Sequence, residues 1–447
     1  MKICETMIGK RLKLSKYAFI IESGFGYIIY SSATGAIIKI SEKQYEDRTR
    51  ALLTDCDDII MDEDDDYIRV LFDSGILVPY DRDEYSYQRF LYEQIFAGDR
   101  VLKLTLLTTR QCNLRCIYCY EKHKDEYMND EIFGDIITMI EKYFKNRVYN
   151  GVSISLFGGE PFCNFDDVYK FLLEVQKICK ENNCSFACEA TTNGVLVTPD
   201  RFEKLIRVGC TNYQISVDGV KETHDKHRVR VDGSGSWDII MSNLKYMKKT
   251  AHIFKVIIRT NFDEEIIERA EEFYRYVKDN FDDDRFTIYY ENIKKLGGEN
   301  DKKLTPMSTV EKMVANISIS ELLERNNLKC ELTESRSQPF GQMCPAIKHN
   351  SYVVDCDGTI MKCTLSIDDE INKVGKITDE GNIVFDYDRL SKWMIPNCEH
   401  AECRECKILP LCLGRNCVNS VAHGNDFYCN YTAHEIELEE MIKNKIN

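Results

Sequence analysis

Cys112, Cys116 and Cys119 stand in the run Thr108-Thr-Arg-Gln-Cys-Asn-Leu-Arg-Cys-Ile-Tyr-Cys-Tyr-Glu121, a C-x3-C-x2-C spacing that follows directly on an apolar, strand-like segment. A [4Fe–4S] cluster takes four cysteinate ligands, and a structural zinc site is also closed by four. A compact set of three therefore describes a cluster with one iron left open to another ligand. A zinc knuckle, or reduced thiols packed as small hydrophobes, is the alternative reading of the same residues.

Three further stretches lie where strands give way to loops. Phe157-Gly-Gly-Glu-Pro161 puts two glycines at a strand end, where backbone can approach a ligand closely while Glu160 presents an acceptor. Thr191-Thr-Asn-Gly194 and Ser216-Val-Asp-Gly219, the latter followed by His224-Asp-Lys-His-Arg228, supply amide, hydroxyl and guanidinium groups. Read singly, each is an ordinary turn or a solvated helix start. Glu189 falls on the inward side of its strand by alternation and reads as a satisfied polar group.

A second family of cysteines fills the hundred residues from 330 to 429: Cys330, Cys344, Cys356, Cys363, Cys398, Cys403, Cys406, Cys412, Cys417 and Cys429, ten of the chain's 20. Cys344-x13-Gly358-x4-Cys363 is followed by Cys403-x2-Cys406-x5-Cys412-x4-Cys417 and then Cys429. Periodicity is weak here, so metal rather than an apolar core is expected to organise this part. Cys4, Cys56, Cys163, Cys179, Cys184, Cys188 and Cys210 show no such grouping and read as small hydrophobes or surface thiols.

The elements that must position these residues fall into three parts. Residues 1–95 show a hairpin signal at 17–30 with glycines at its turn, helices near 41–53 and 65–74, and a short strand at 76–79, the order of a winged-helix-like α+β module. The acidic run Asp62–Asp66 reads as a solvated loop and helix start. Between 96 and 300 the spacing predicts strands at 102–107, 152–157, 186–191, 213–217, 254–259 and 286–290. Helices are expected between them at 132–145, 165–181, 199–208, 237–248 and 264–280, so the strands are parallel. Residues 301–340 read as a charged helical linker, 341–447 as the cysteine-rich part, and 433–443 as a final helix.

The triad, with aromatic Tyr118 before its third cysteine, resembles the signature of the radical S-adenosylmethionine (SAM) enzymes, and 157–161 resembles their GGEP motif. The resemblance implies an α/β fold with a partial (β/α)6 barrel, whose active site gathers at the C-terminal strand ends. It implies cofactor contacts from Tyr118, Gly158, Gly159, Glu160, Asn193, Ser216 and Arg228. The two glycines would offer backbone groups to the methionine ammonium, with Glu160 close by. Ser216 would bond ribose or carboxylate, with Asn193 near it, and Arg228 would pair with the methionine carboxylate. The C-terminal pattern resembles the SPASM domain, which binds two auxiliary [4Fe–4S] clusters, giving three clusters with that of the triad. The family pairing implies Cys344, Cys363 and Cys417 for the first auxiliary cluster and Cys403, Cys406, Cys412 and Cys429 for the second. The last short gap holds four residues here against three in the family. The candidate for the first cluster's fourth ligand is Cys330, with Cys356 and Cys398 as rivals; the alternative is an open iron that binds a substrate thiolate.

This three-part layout resembles maturases of ribosomally made peptides, thioether synthases of the ranthipeptide and sactipeptide type among them. There the N-terminal module captures the precursor's leader as an added strand. A 5′-deoxyadenosyl radical would abstract a substrate hydrogen and lead to an intramolecular crosslink, with cysteine thioether to carbon preferred over carbon–carbon or ether bonds. An electron donor such as flavodoxin or ferredoxin is implied. An anaerobic sulfatase maturase, forming formylglycine, is the rival; that family resembles a pattern with an aspartate base directly after the cysteine matching Cys363, and here the residue is Thr364. A metal-stabilised peptide-binding scaffold is the non-catalytic alternative.

Composition narrows the classes further. Hydrophobic residues make up 43% and aromatics 11%, so the chain folds. A net charge of −15 argues against nonspecific nucleic-acid or anionic-membrane partners. The N-terminal residues lack the apolar core of a signal peptide, and a cytoplasmic location is expected, where clustered thiols stay reduced and bind metal.

Overall fold

The computed structural model describes residues 8–54, 59–62, 64–331, 336–341, 344–394, 401–412, 417–424 and 434–446. Cys4, Cys56, Cys398 and Cys429 lie outside them.

Six short strands open the chain: β1 (Arg11–Leu14), β2 (Ala18–Ser23), β3 (Gly26–Ser31), β4 (Ile37–Ser41), β5 (Ile59–Ile60) and β6 (Leu77–Pro79). They form two antiparallel sheets, ordered β2-β3-β4 and β5-β1-β6. The runs in β2 and β3 are nearly continuous in apolar residues because both faces of that sheet are covered. Ala18 and Ile29 pack with Leu71 and Phe72 of the helix Asp66–Asp73. On the opposite face Phe19, Ile21, Ile28 and Tyr30 meet Ile408, Leu411, Cys412, Leu438 and Ile442 from the far end of the chain. The hairpin thus spends one face on the C-terminal part, and β4 is left as an edge strand among the described residues. The acidic run contributes a helix start: Asp65 accepts hydrogen bonds from the N–H groups of Tyr67 and Ile68.

The six expected parallel strands are present as β7 (Val101–Thr109), β8 (Gly151–Gly158), β9 (Ser185–Thr192), β10 (Cys210–Ser216), β11 (Lys255–Phe262) and β12 (Phe286–Asn292), laid side by side in that order. Helices Asp130–Lys145, Phe165–Glu181, Pro199–Arg207 and Trp237–Lys249 cover one face. The helix expected at 264–280 is broken at Arg269 into Glu264–Glu268 and Ala270–Phe281. Strand residues alternate accordingly. In β11 Val256, Ile258, Thr260 and Phe262 are buried against the helices, whereas Lys255, Ile257, Arg259 and Asn261 are half-buried on the inner face. Leu104, Leu106, Ile154 and Leu156 are essentially inaccessible, each worth about 1.5–3 kcal/mol of burial. Glu189 is exposed on the inner face, where it accepts a hydrogen bond from Ser155 Oγ.

The cysteine-rich part departs from expectation. β13 (Ser351–Val354) pairs in parallel with β7, and β14 (Thr359–Met361), β15 (Lys373–Ile377) and β16 (Ile383–Phe385) continue antiparallel, making one ten-stranded sheet. Val354, Ile360, Val374, Ile377 and Trp393 belong to the same apolar core as the barrel. An apolar core therefore runs through residues 351–393, where strands of three to five residues are too short to show a period. The linker helix Thr309–Arg325 likewise buries Ala315, Ile319, Leu322 and Leu323. The final helix runs His434–Ile446. No helix among the described residues is long and apolar enough to cross a membrane.

Candidate active site at the C-terminal end of the barrel

The triad loop leaves β7 at Thr109 and is tied down from several sides. Arg115 N–H donates to Val229 O (2.8 Å), Ile117 N–H to His227 O (3.0 Å) and Cys119 N–H to Cys116 O (3.1 Å). Asn300 Nδ2 reaches Cys119 O (3.2 Å) from the loop after β12. Cys112 Sγ accepts from Leu114 N–H (3.4 Å) and Asn193 Nδ2 (3.8 Å). All three thiols are pushed up by burial. The Cys112 thiol also feels Cys116 and Cys119, and that of Cys119, raised to about 12, feels Cys116. Three buried, mutually repelling thiolates need a positively charged partner, and iron coordination deprotonates such thiols outright. The donor set fits an iron–sulfur cluster.

Beside the loop, Gly158 adopts φ 114°, and a Cβ there would lie 2.3 Å from Thr109 O. A Cβ on Gly159 would lie 2.3 Å from Gln111 O. Only glycine allows β8 to approach the triad loop so closely, and Gly159 N–H (3.0 Å, to Thr109 O) and Glu160 N–H (2.9 Å, to Gln111 O) fasten the two together. With those N–H groups spent, the carbonyl oxygen, the acceptor an ammonium requires, is what the glycine pair has to offer. Glu160 is fully buried and accepts from Thr192 Oγ1 (2.7 Å), Asn193 N–H (2.8 Å) and Phe162 N–H (3.2 Å). It joins the ends of β8 and β9 and thereby aims Asn193 at Cys112. Ser216 ends β10, half-buried, in register with Arg259.

Arg228 is held beneath Cys116 by a network that sequence reasoning did not assign. Its Nη1 donates to Tyr118 Oη (2.5 Å) and lies 3.5 Å from Asp218 Oδ2; Tyr118 Oη also donates to Asp218. Asn261 binds both, through N–H to Asp218 Oδ1 (2.8 Å) and Nδ2 to Tyr118 Oη (3.1 Å). Arg228 Nε is buried without a hydrogen-bond partner, a donor still to be satisfied. Asp218 sat in the motif quoted above without a role. Asn261 was findable only as a polar residue at a barrel strand's C-terminal end.

Residues 106–277 match the radical SAM superfamily. The chain is a radical SAM enzyme. That superfamily uses S-adenosylmethionine and a [4Fe–4S] cluster, and the triad is the set that fits the cluster. The chain is 22% identical over 322 residues to the cysteine-type anaerobic sulfatase-maturating enzyme of Clostridium novyi (strain NT), covering 67% of this chain and 83% of the relative. It is 24% identical over 286 residues to the radical SAM cyclopropyl synthase TigE of Paramaledivibacter caminithermalis, covering 57% and 59%. Among solved structures, native anSMEcpe with bound AdoMet and Kp18Cys peptide superposes with TM-score 0.62 at 18% identity, over 77% of this chain and 97% of that one. Streptococcus suis SuiB bound to precursor peptide SuiA superposes with TM-score 0.51 at 17% identity, over 93% and 98%. The large, mostly parallel sheet is the radical SAM barrel of these neighbours.

The C-terminal cysteines of this radical SAM enzyme fall into separate places. The Cys363 thiol, pushed up to about 11 chiefly by burial, has Cys344 and Cys417 as electrostatic neighbours. Its loop is built around Asn372, which is fully buried. Asn372 Oδ1 accepts from Lys362 N–H (3.0 Å) and Cys363 N–H (2.9 Å), and its Nδ2 donates to Cys363 O (2.7 Å) and Ser366 O (3.0 Å). Asn372→Ala strands four backbone groups, one of them in a buried bond and three in partly buried ones, so a loss of about 2–4 kcal/mol is expected. Thermal melting together with iron content checks this, and an unchanged melting point would refute the role. Cys356 is placed differently: its thiol donates to Leu107 O (3.0 Å) beside β7. Cys330 bridges to Ile288 of β12, with Tyr274 and Tyr290 as electrostatic neighbours. Cys403 packs on Tyr17, Cys406 beside it, and Cys412 on the β2–β3 hairpin. Among the described residues no three His, Cys, Asp or Glu side chains converge on a single ion; a cubane instead takes each thiolate on a separate iron. Of the ungrouped cysteines, Cys179, Cys188 and Cys210 are buried in the main core, while Cys163 and Cys184 are half-buried.

A cavity of about 490 Å³ lies between the triad loop and the loop after Cys363, lined by Arg110, Tyr120, Glu121, Leu296, Leu365 and Asp368 among others. Burial lifts the Glu121 carboxyl to about 7, against the pull of Arg110. Its Oε2 is buried with no hydrogen-bond partner, a state that costs about 1–3 kcal/mol.

Proposed function

We propose that this enzyme is a maturase that binds the leader of a ribosomally made precursor peptide and installs intramolecular crosslinks, cysteine thioether to carbon. The observation that carries the reading is the N-terminal module: a small antiparallel sheet, anchored through one hairpin face to the cysteine-rich part, that keeps β4 as an edge. An edge strand is the template that an extended peptide needs. A neighbour of the same fold across 93% of this chain, SuiB, was solved with its precursor peptide.

When bound at the triad's cluster, S-adenosylmethionine supplies one-electron abstraction of a hydrogen atom from a substrate C–H bond. The chain's own residues hold and orient. Cys112, Cys116 and Cys119 ligate. The Gly158 and Gly159 carbonyls would receive the methionine ammonium, and the unsatisfied Nε of Arg228 would donate to its carboxylate. Ser216 and Asn193 lie toward the ribose side, and Tyr118 is fixed by Asp218 and Asn261. A thioether forms with loss of one hydrogen atom from carbon, one proton from the thiol and one electron. Cys344, Cys363 and Cys417 would hold one auxiliary cluster and Cys403, Cys406, Cys412 and Cys429 a second, and such clusters would supply an acceptor for that electron. Flavodoxin or ferredoxin supplies the reducing electron.

A formylglycine-forming activity is the second reading, favoured by the sulfatase-maturating relatives. Thr364 stands where the resemblance places an aspartate base; its carbonyl accepts from Tyr120 Oη (3.1 Å). Incubation of the reconstituted enzyme with candidate precursor peptides, drawn from any short cysteine-containing reading frames next to its gene, separates the two by mass spectrometry. A loss of two hydrogens per crosslink supports the thioether or another crosslink, and conversion of a cysteine to formylglycine supports the rival. No mass change refutes both. Iron content should reach about twelve per chain with three full cubanes; a value near four would remove the auxiliary clusters.

Leader capture has its own test. Alternate N–H groups of an edge strand point outward, so one of the neighbouring variants Ile38→Pro and Lys39→Pro removes an outward donor and the other an inward one. Both should weaken binding of a fluorescent leader by about tenfold or more, one of them with little loss of stability. Unchanged anisotropy in both would sink the β4 assignment.

A further inference from the structure

The cavity beside Cys119 has the size of a ligand site and a mixed wall. Tyr120, Leu296, Leu365 and Ile367 are apolar or aromatic, and the charged groups around them are mostly matched. Arg110 Nε and Nη2 bind Asp355 in two parallel bonds (2.9 and 2.5 Å), and its Nη1 is 3.7 Å from Asp368. Asp368 also takes Lys122 and Lys124, Asp369 takes His423, and Glu370 takes Lys373 and Arg389. Glu121 differs from these carboxylates in having a buried oxygen with no donor.

The missing donor has a definable character. Arg110 and Lys122, the cations of this wall, are already engaged by Asp355 and Asp368, so the donor for Glu121 is left to an N–H of whatever enters the cavity. A peptide carries one such N–H on every residue except proline. The place is also apt: Tyr120 has both Cys119 and Cys363 as electrostatic neighbours, so whatever fills the cavity lies between the triad loop and the Cys363 loop.

We infer that this cavity seats a segment of the peptide substrate and that Glu121 Oε2 accepts one of its main-chain N–H groups. The inference rests on the peptide-maturase reading. Glu121 is here a positioning residue, setting which stretch of the peptide passes between the two cysteine sites.

The probe is the precursor peptide that the enzyme modifies in the mass-spectrometric test above, synthesised whole and as single amide-to-ester analogues, each lacking one N–H. Affinity is measured by calorimetric titration of the full-length enzyme. Glu121→Ala should weaken the parent peptide at least about tenfold. One ester analogue should bind the unaltered enzyme as weakly, and Glu121→Ala should bind that analogue no worse than the parent. Glu121→Gln, which keeps an acceptor oxygen, should recover affinity to within a few-fold and serves where the alanine variant folds poorly. Unaltered affinity in both variants overturns the inference, as does an equal additional loss for every ester in the Glu121→Ala background. Absence of any binding by the unaltered enzyme overturns the peptide reading itself, and this inference with it.

Discussion

Protein reconstituted anaerobically with Cys112, Cys116 and Cys119 all replaced by alanine should form no 5′-deoxyadenosine above background. The three thiols are held at one place by bonds from the loops after β10 and β12 and from Asn193. No other cysteine lies in the triad loop. Each replacement removes a single sulfur from a loop whose backbone bonds remain, so folding should survive, with circular dichroism and melting close to those of the unaltered protein. Iron should fall by about four per chain, one cubane, and no more. Persistent cofactor cleavage would remove the triad from the chemistry, and a loss of about twelve irons would show that the auxiliary sites depend on it.

Gly159→Ala should lower cofactor cleavage by about a hundredfold, the cost of misplacing a reacting group by about 1 Å. The added Cβ would meet Gln111 O at 2.3 Å, Gln111 C at 2.7 Å and Arg110 O at 3.0 Å. All three are backbone atoms and cannot swing aside. The bonds from Gly159 and Glu160 to Thr109 and Gln111 pull the strands toward the clash, so the triad loop itself must give. Overpacking of this kind costs about 1–3 kcal/mol, too little to unfold the chain. Gly134→Ala is the control: it lies within the helix Asp130–Lys145 with nothing near its added methyl, and should raise stability by about 0.5–1 kcal/mol. Equal cleavage rates in the two variants would refute the close-approach argument.

Local patterns carried much of this molecule. The triad, the glycine pair and six parallel strands are spelled in runs of fewer than ten residues, where period and spacing are read directly. What escaped is written across long separations. Arg110 and Asp355 find each other over 245 residues, and Asn372 gathers carbonyls and amides from residues 362–366 that carry no motif. The hairpin gave its strands readily but not its covering, because Leu411, Leu438 and Ile442 come from the opposite end. Cysteine density suggested a metal-built region, and the short strands β13–β16 instead share the barrel's core.

The pairing of β13 with β7 sets a ruler. The strand that delivers the triad is hydrogen-bonded on its outer edge, from Ser351↔Lys103 to Val354↔Leu106, to the strand that leads toward Cys363. Distance between the two cysteine sites is consequently counted in backbone rungs rather than left to two lobes that hinge. A slip of one residue would turn β13 over and break Arg110 from Asp355 in the same motion. A barrel cut away at residue 300 would present β7 as a naked edge, inviting self-association.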